Sequence, residues 1–171
     1  MLEVYYQRRA CRKFDSSREV EEEKIKKIID AGLQAPSGRG TQNVIIIAIS
    51  DKKTRDRLAK LNAEVIGANN DTFYGAPVVL LVASKKGPFA HVDGAAVIEN
   101  LLLAATELGL GSCWIHRAKE ELESEEGKDI LSFTGLDLDE YEGIGHAVIG
   151  YSLMEEYPPK PIKPNRVYWS K

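Results

Sequence analysis

Residues 93–120 read DGAAVIENLLLAATELGLGSCWIHRAKE, and their pattern decides the fold class. From about residue 93 to 108 the composition is helical, with the polar residues Asp93, Asn100 and Glu107 recurring at every seventh position. Most of the helix circumference is therefore apolar, and so narrow a polar stripe predicts a helix buried on several sides, in the domain centre or in a subunit contact. The following Gly-Leu-Gly ends the helix, and GSCWI has the composition of a strand.

Upstream, Ile25, Ile28, Ile29 and Leu33 fall at helical spacing, predicting an amphipathic helix over residues 20–33. It must stop near Gln34, because APSGRG places a proline and two glycines directly behind it. VIIIAIS (44–50) and PVVLLVAS (77–84) are continuous apolar, β-branched runs, which predict central strands covered on both faces. A polar helical stretch over about residues 51–61 separates them, with Asp51 as its N-cap. Downstream, a charged helix over about residues 119–131 precedes a further strand, HAVIGY. Residues 155–169, EEYPPKPIKPNRVYW, hold four of the seven prolines and predict an extended arm. The order is mixed α and β, with no internal repeat.

At 171 residues, 43% hydrophobic and 29% charged, residues 1–171 suit a single domain. A formal charge of -3 and a pI near 5.7 leave no overall electrostatic footprint for nucleic acid or an anionic membrane. The longest apolar runs are strand-length, far short of the roughly 20 residues that span a bilayer. The N-terminus MLEVYYQRRACRKF lacks the order of a secretion signal. Cys11 and Cys113 form no CxxC pair, so neither a disulfide framework nor a zinc site is suggested, and a reduced cytoplasmic setting is expected. Cys113 reads as a small buried strand residue. His91 and His146 have no second ligand at metal spacing and read as structural.

Three clusters carry chemistry. In RRACRKF (8–14), Arg8, Arg9 and Arg12 fall within five residues. On a helix Arg8 and Arg12 would share one face and could converge on an anion such as a phosphate. A solvated basic helix end is the alternative reading. In APSGRGTQN (35–43), a helix stop is followed by small residues that leave backbone N–H groups open to a flat ligand. It has neither the GxGxxG spacing of a dinucleotide fold nor the P-loop pattern. The third cluster, KPNRVYW, adds Lys163 and Arg166, a pair that simple solvation also explains.

Taken jointly, the order and separation of these clusters resemble the nitroreductase family, flavoproteins that open on an RRSxRxF-like segment and follow a helix with APS and a glutamine. The resemblance extends through FYGAPVVLLVAS, residues 93–120 and YEGIGHAVIGY, nearly the whole chain. It implies an α+β three-layer sandwich with a mainly antiparallel central sheet flanked by helices, the 93–108 helix at the contact of a homodimer, and the C-terminal arm exchanged with the partner.

The resemblance also implies the cofactor FMN. Arg8 and Arg9 would meet its phosphate and ribityl end, and Arg12 the N1 and O2 edge. Ala10 stands where the family commonly has serine, so one polar contact would be missing. Pro36, Ser37, Gly38 and Arg39 would form a wall supplied by the other subunit, with Gln42 beside it. Gly40 takes the place of an asparagine common among relatives. Asn69 would face the pyrimidine edge, Trp114, Ile115, His116 and Arg117 would run by the ring with chiefly backbone contact near N5, and Lys163 with Arg166 would close on the phosphate. No side chain is assigned a catalytic role and no metal is implied. The expected activity is ping-pong electron transfer from NAD(P)H to flat, electron-poor small molecules such as nitroaromatics or quinones. A non-enzymatic flavin carrier or sensor is the alternative, and a lid-dependent flavin reaction has little room in a chain of this length.

Overall fold

The computed structural model describes residues 2–154, 157 and 160–170. Its centre is β2 (Val78–Lys85), buried along all but its last residue. Successive strand residues point to opposite faces, so burial on both explains the unbroken apolar run. Val78, Leu80 and Val82 join one hydrophobic cluster, whereas Val79, Leu81 and Ala83 join the other.

The sheet contains β1 (Val44–Ile49), β2, β3 (Gly111–Ile115) and β4 (Tyr141–Gly150) in the order β1-β2-β4-β3, every neighbour antiparallel. The expected central position of VIIIAIS is corrected. Among the described residues β1 pairs only with β2 and forms a sheet edge, and its burial is accordingly partial over much of its length. β4 takes the central place beside β2.

Helices α2 (Glu22–Leu33) and α4 (Ala90–Glu107) cover one face through Ile28, Val97, Ile98 and Leu101. Between them in sequence, α3 (Lys52–Val65) covers the other, with Asp51 accepting from the Thr54 N–H at 2.8 Å as the expected N-cap. The predicted single helix over 119–131 is two, α5 (Ala118–Glu123) and α6 (Glu125–Ile130). Ser124, at ψ 147°, leaves the helical region and accepts from the Gly127 N–H at 3.0 Å, starting a new helix where the old one ends. A short α1 (Glu3–Gln7) precedes the sheet domain.

A bulge in β4 shapes the site. Its register on β2 passes from Val82–Gly145 to Ala83–Gly143, leaving Ile144 as the extra residue. A side chain at Gly143 would enter the Ala118 backbone, and one at Gly145 would enter the Trp114 indole. Both glycines thus allow the start of α5 and the end of β3 to lie tight against the sheet.

Among the described residues no helix is long and apolar enough to cross a membrane. Tyr157 packs back on the core, and residues 160–170 form neither helix nor strand, leaving Ile162, Val167, Tyr168 and Trp169 exposed. Glu155, Glu156, Pro158, Pro159 and Lys171 of the expected arm lie outside the described residues.

Candidate functional site

The arginine cluster is not helical. Arg8 caps α1 at ψ 122°, and from there the chain runs along the outer edge of β3: Ala10 bridges Ser112, and the Cys11 N–H donates to the Ser112 carbonyl at 2.8 Å. Buried Cys11 and Phe14 pin this segment to the core, which outweighs any helical preference of the charged residues between them. With the segment extended, the helical reason for Arg8 and Arg12 to share a face is gone; what the two still have in common is the buried Cys113 of β3, whose thiol feels both. Both guanidinium charges act on the Cys113 thiol, lowering its pKa, although burial has the larger effect and holds it above the usual thiol range.

Arg8 lies 3.9 Å from the Glu99 carboxylate on α4. Arg9 donates to the Arg8 carbonyl at 2.8 Å and lines a groove of about 740 Å³ with Tyr5, Tyr6, Tyr157, Lys160 and Ile162. The exposed Arg12 guanidinium has no acidic partner among the described residues.

The second element is the turn after α2. Arg39, Gly40 and Gln42 all have positive φ, at 56°, 67° and 50°. For the two non-glycine residues this costs on the order of 1–3 kcal/mol each, so the turn needs anchors. The Ser37 hydroxyl accepts from the Gln42 N–H at 3.0 Å, and buried Asp93 accepts from the Gly38 N–H at 2.9 Å. Gly38 faces the Phe89 ring without room for a Cβ, and the Arg39 guanidinium lies 5.9 Å from the same ring. Sequence reasoning missed Asp93 as a site residue; the signal was the polar stripe of an otherwise apolar helix, whose first member is buried while its last, Glu107, is exposed. Asn100, from the same stripe, donates to the Ala31 carbonyl at 3.0 Å. Among the described residues no hydrogen bond or ion pair joins Arg8 or Arg12 to residues 36–42.

The third element is the end of β3. The Trp114 Nε1 is buried without an acceptor among the described residues. His116 lies exposed, its ring centroid 5.8 Å from that of Trp114, and Arg117 starts α5 at φ 87°. Behind this segment stands a cluster that periodicity could not reveal. His146 and Glu121 are fully buried and 2.7 Å apart. Asn62 donates to Glu121 at 2.5 Å and to the His116 carbonyl at 2.8 Å.

Among the described residues, no hydrogen bond or ion pair ties the remaining expected residues to these. Asn69 lines a groove of about 410 Å³ beside α3 with Arg55, Asp56 and Asp71, a lining that includes none of Arg8, Arg12 and residues 114–117. Lys163 and Arg166 lie exposed on the arm. His91 is exposed, 2.9 Å from Glu142.

The sequence model of the Nitroreductase family matches residues 5–71 and 67–151. An Archaeoglobus fulgidus protein, provisionally named NADH dehydrogenase/NAD(P)H nitroreductase, is 31% identical over 118 residues, 67% of this chain and 66% of that protein. The chain thus spans just under two thirds of that curated relative. Among solved structures, a nitroreductase with bound FMN from Bacteroides fragilis matches with a TM-score of 0.88 at 24% identity, over 99% of this chain and 98% of that one. An FMN-dependent nitroreductase from Clostridium difficile R20291 matches with a TM-score of 0.80 at 26% identity, over 100% of this chain and 99% of that one.

Proposed function

The chain belongs to the nitroreductase family, and from that premise we propose that it is an FMN-dependent oxidoreductase, passing electrons from NAD(P)H to flat, electron-poor small molecules such as nitroaromatics or quinones. The observation that carries this reading is the placement of Arg8 and Arg12 on an extended segment against β3, both acting on Cys113, on a strand whose end carries Trp114 to Arg117.

The donors present fit a flavin mononucleotide. Among the described residues Arg12 lacks an acidic partner, Arg8 has only a long contact to a half-exposed carboxylate, and the Trp114 indole N–H is unsatisfied. Arg8 and Arg9, with Lys163 and Arg166 from the arm, would hold the phosphate end, as cations suited to phosphate do. Arg12 would stand at the pyrimidine edge, where a fixed positive charge favours added electrons and raises the reduction potential. Pro36, Ser37, Gly38, Arg39 and Gln42 would wall the ring, and Asn69 would reach its polar edge. When bound, FMN supplies the hydride and electron chemistry in two half-reactions, donor first and acceptor second. The protein orients, shields and sets the local charge, and no side chain need act as acid or base.

A homodimer belongs to the same reading: among the described residues no hydrogen bond or ion pair joins Arg8 or Arg12 to the 36–42 turn, and the exposed Tyr168 and Trp169 of the arm suit exchange with a partner. So does a single domain over residues 1–171 in a reducing cytoplasm, with both cysteines free.

The test is the cofactor itself. Purified protein should be yellow and release FMN rather than FAD on denaturation, and it should oxidise NAD(P)H continuously with menadione present. Bound FMN without turnover would make it a carrier or sensor, and FAD or no flavin would end the reading.

A further inference from the structure

We propose that Asn62, Glu121 and His146 are positioning residues that aim the His116 and Arg117 backbone amides at the bound flavin; this rests on the flavin reading above. The cluster joins three distant parts of the chain: Asn62 on α3, Glu121 on α5 and His146 on β4. Its two ionisable members are completely buried, at 0% exposure each. An apolar trio would fill this space without the desolvation cost of buried ionisable groups. What an apolar trio could not do is hold carbonyls.

Two successive carbonyls are met by the cluster's side chains. The Ile115 carbonyl lies 3.3 Å from His146 Nδ1 and the His116 carbonyl accepts from Asn62 Nδ2 at 2.8 Å, while the next, that of Arg117, takes the first backbone bond of α5, from the Glu121 N–H at 3.0 Å. A carbonyl can only accept, so His146 Nδ1 carries a hydrogen. The 2.7 Å contact between His146 Nε2 and Glu121 Oε2 then needs one further hydrogen, on either atom, and the pair is neutral overall. Both Asn62 N–H groups are used, one on His116 and one on Glu121 Oε1.

Because a trans peptide sets its N–H opposite its C=O, drawing the carbonyls of Ile115 and His116 into the cluster turns the N–H groups of His116 and Arg117 away from it. Neither N–H has a partner among the described residues. The φ of 87° at Arg117, unfavourable for a branched-off side chain, is the backbone bend that this clasp maintains. These donors stand beside Trp114, in the stretch that would meet the flavin ring.

Three variants test the proposal against wild type. Glu121→Gln keeps every bond: its amide N–H can donate to neutral His146 Nε2 and its oxygen can accept from Asn62. It should therefore behave as wild type in FMN affinity, flavin midpoint potential and kcat/KM. Asn62→Ser releases the His116 carbonyl, and His146→Phe removes both the Nδ1 contact to the Ile115 carbonyl and the bond that holds Glu121. They should still bind FMN yet shift its midpoint potential, weaken FMN binding in titrations of the apoprotein, and lower kcat by roughly tenfold or more, since misplacement by about 1 Å costs up to about 100-fold. Asn62→Ser, the milder change, decides the matter if His146→Phe does not fold. Folded Asn62→Ser with wild-type potential, FMN affinity and kcat would overturn the proposal while leaving the flavin reading intact. Wild-type protein that binds no FMN would overturn both.

Discussion

Gly38 donates its backbone N–H to the buried carboxylate of Asp93 across 2.9 Å, tying the turn after α2 to the first turn of α4, 55 residues away. The bond holds in place a turn with three positive φ angles at Arg39, Gly40 and Gln42. A charged acceptor on a backbone donor, largely shielded from water, is worth about 1.5–3 kcal/mol. Asp93→Ala should lose that much stability in denaturant titrations and weaken FMN retention with it. Asp93→Asn, which can keep an oxygen toward Gly38, should lose less; equal losses would mean that the carboxylate charge, not the bond, matters.

Arg12→Ala should lower the flavin midpoint potential and slow reduction by NAD(P)H more than it weakens FMN retention. The lost charge-assisted contact is worth roughly 1.5–3 kcal/mol. Potentiometry with stopped-flow reduction reads both effects. Retained FMN at an unmoved potential would remove Arg12 from the pyrimidine edge.

A pocket shared by two chains predicts complementation. Arg8→Ala with Arg12→Ala in one chain, and Pro36→Trp in the other, should each give inactive homodimers. In a mixed dimer one site collects both defects and the other is sound. Refolding equal amounts together yields mixed dimers in roughly half the population by statistics, so about a quarter of wild-type FMN and activity should return. Demonstrated mixed dimers without recovery would place all these residues in a site built from one chain.

Tyr157 has its hydroxyl pKa pushed up from 10.0 to about 12, first by burial and then by the neighbouring Cys11 thiol, against the lowering effect of its 2.8 Å hydrogen bond with Ser152. The folded state therefore favours the neutral phenol. Its contribution to stability is fully present below pH 10.0 and is lost as the pH rises toward about 12. Tyrosinate absorbance should show a late-titrating component that is lost in Tyr157→Phe, and the unfolding midpoint of wild type should fall more than that of Tyr157→Phe across the same window.

The buried Cys113 thiol, raised above its ordinary 9.0 chiefly by burial, should resist iodoacetamide in the native protein at neutral pH and react on unfolding. Prompt native alkylation would show that β3 opens.

From the sequence alone came whatever repeats locally: the two-faced apolar run of β2, the nearly all-apolar α4, the stop after α2, the Asp51 cap and the proline-rich arm. Periodicity reports the environment of a residue along its own element, and those environments are uniform over several turns or strand residues. It could not tell a central strand from an edge strand, because β1 and β2 are equally apolar and only pairing separates them. Nor could it place Arg8 and Arg12 on an extended segment, since the Cys11 and Phe14 anchors that hold it straight bind partners some 60 to 140 residues away, among them Tyr74, Ser112 and Ser152. The inward turn of Asp93 and the meeting of Asn62, Glu121 and His146 were likewise decided by the tertiary structure. A polar residue on an apolar helix looks the same in sequence whether it faces water or a buried donor, and only the packed layers bring that donor within 3 Å.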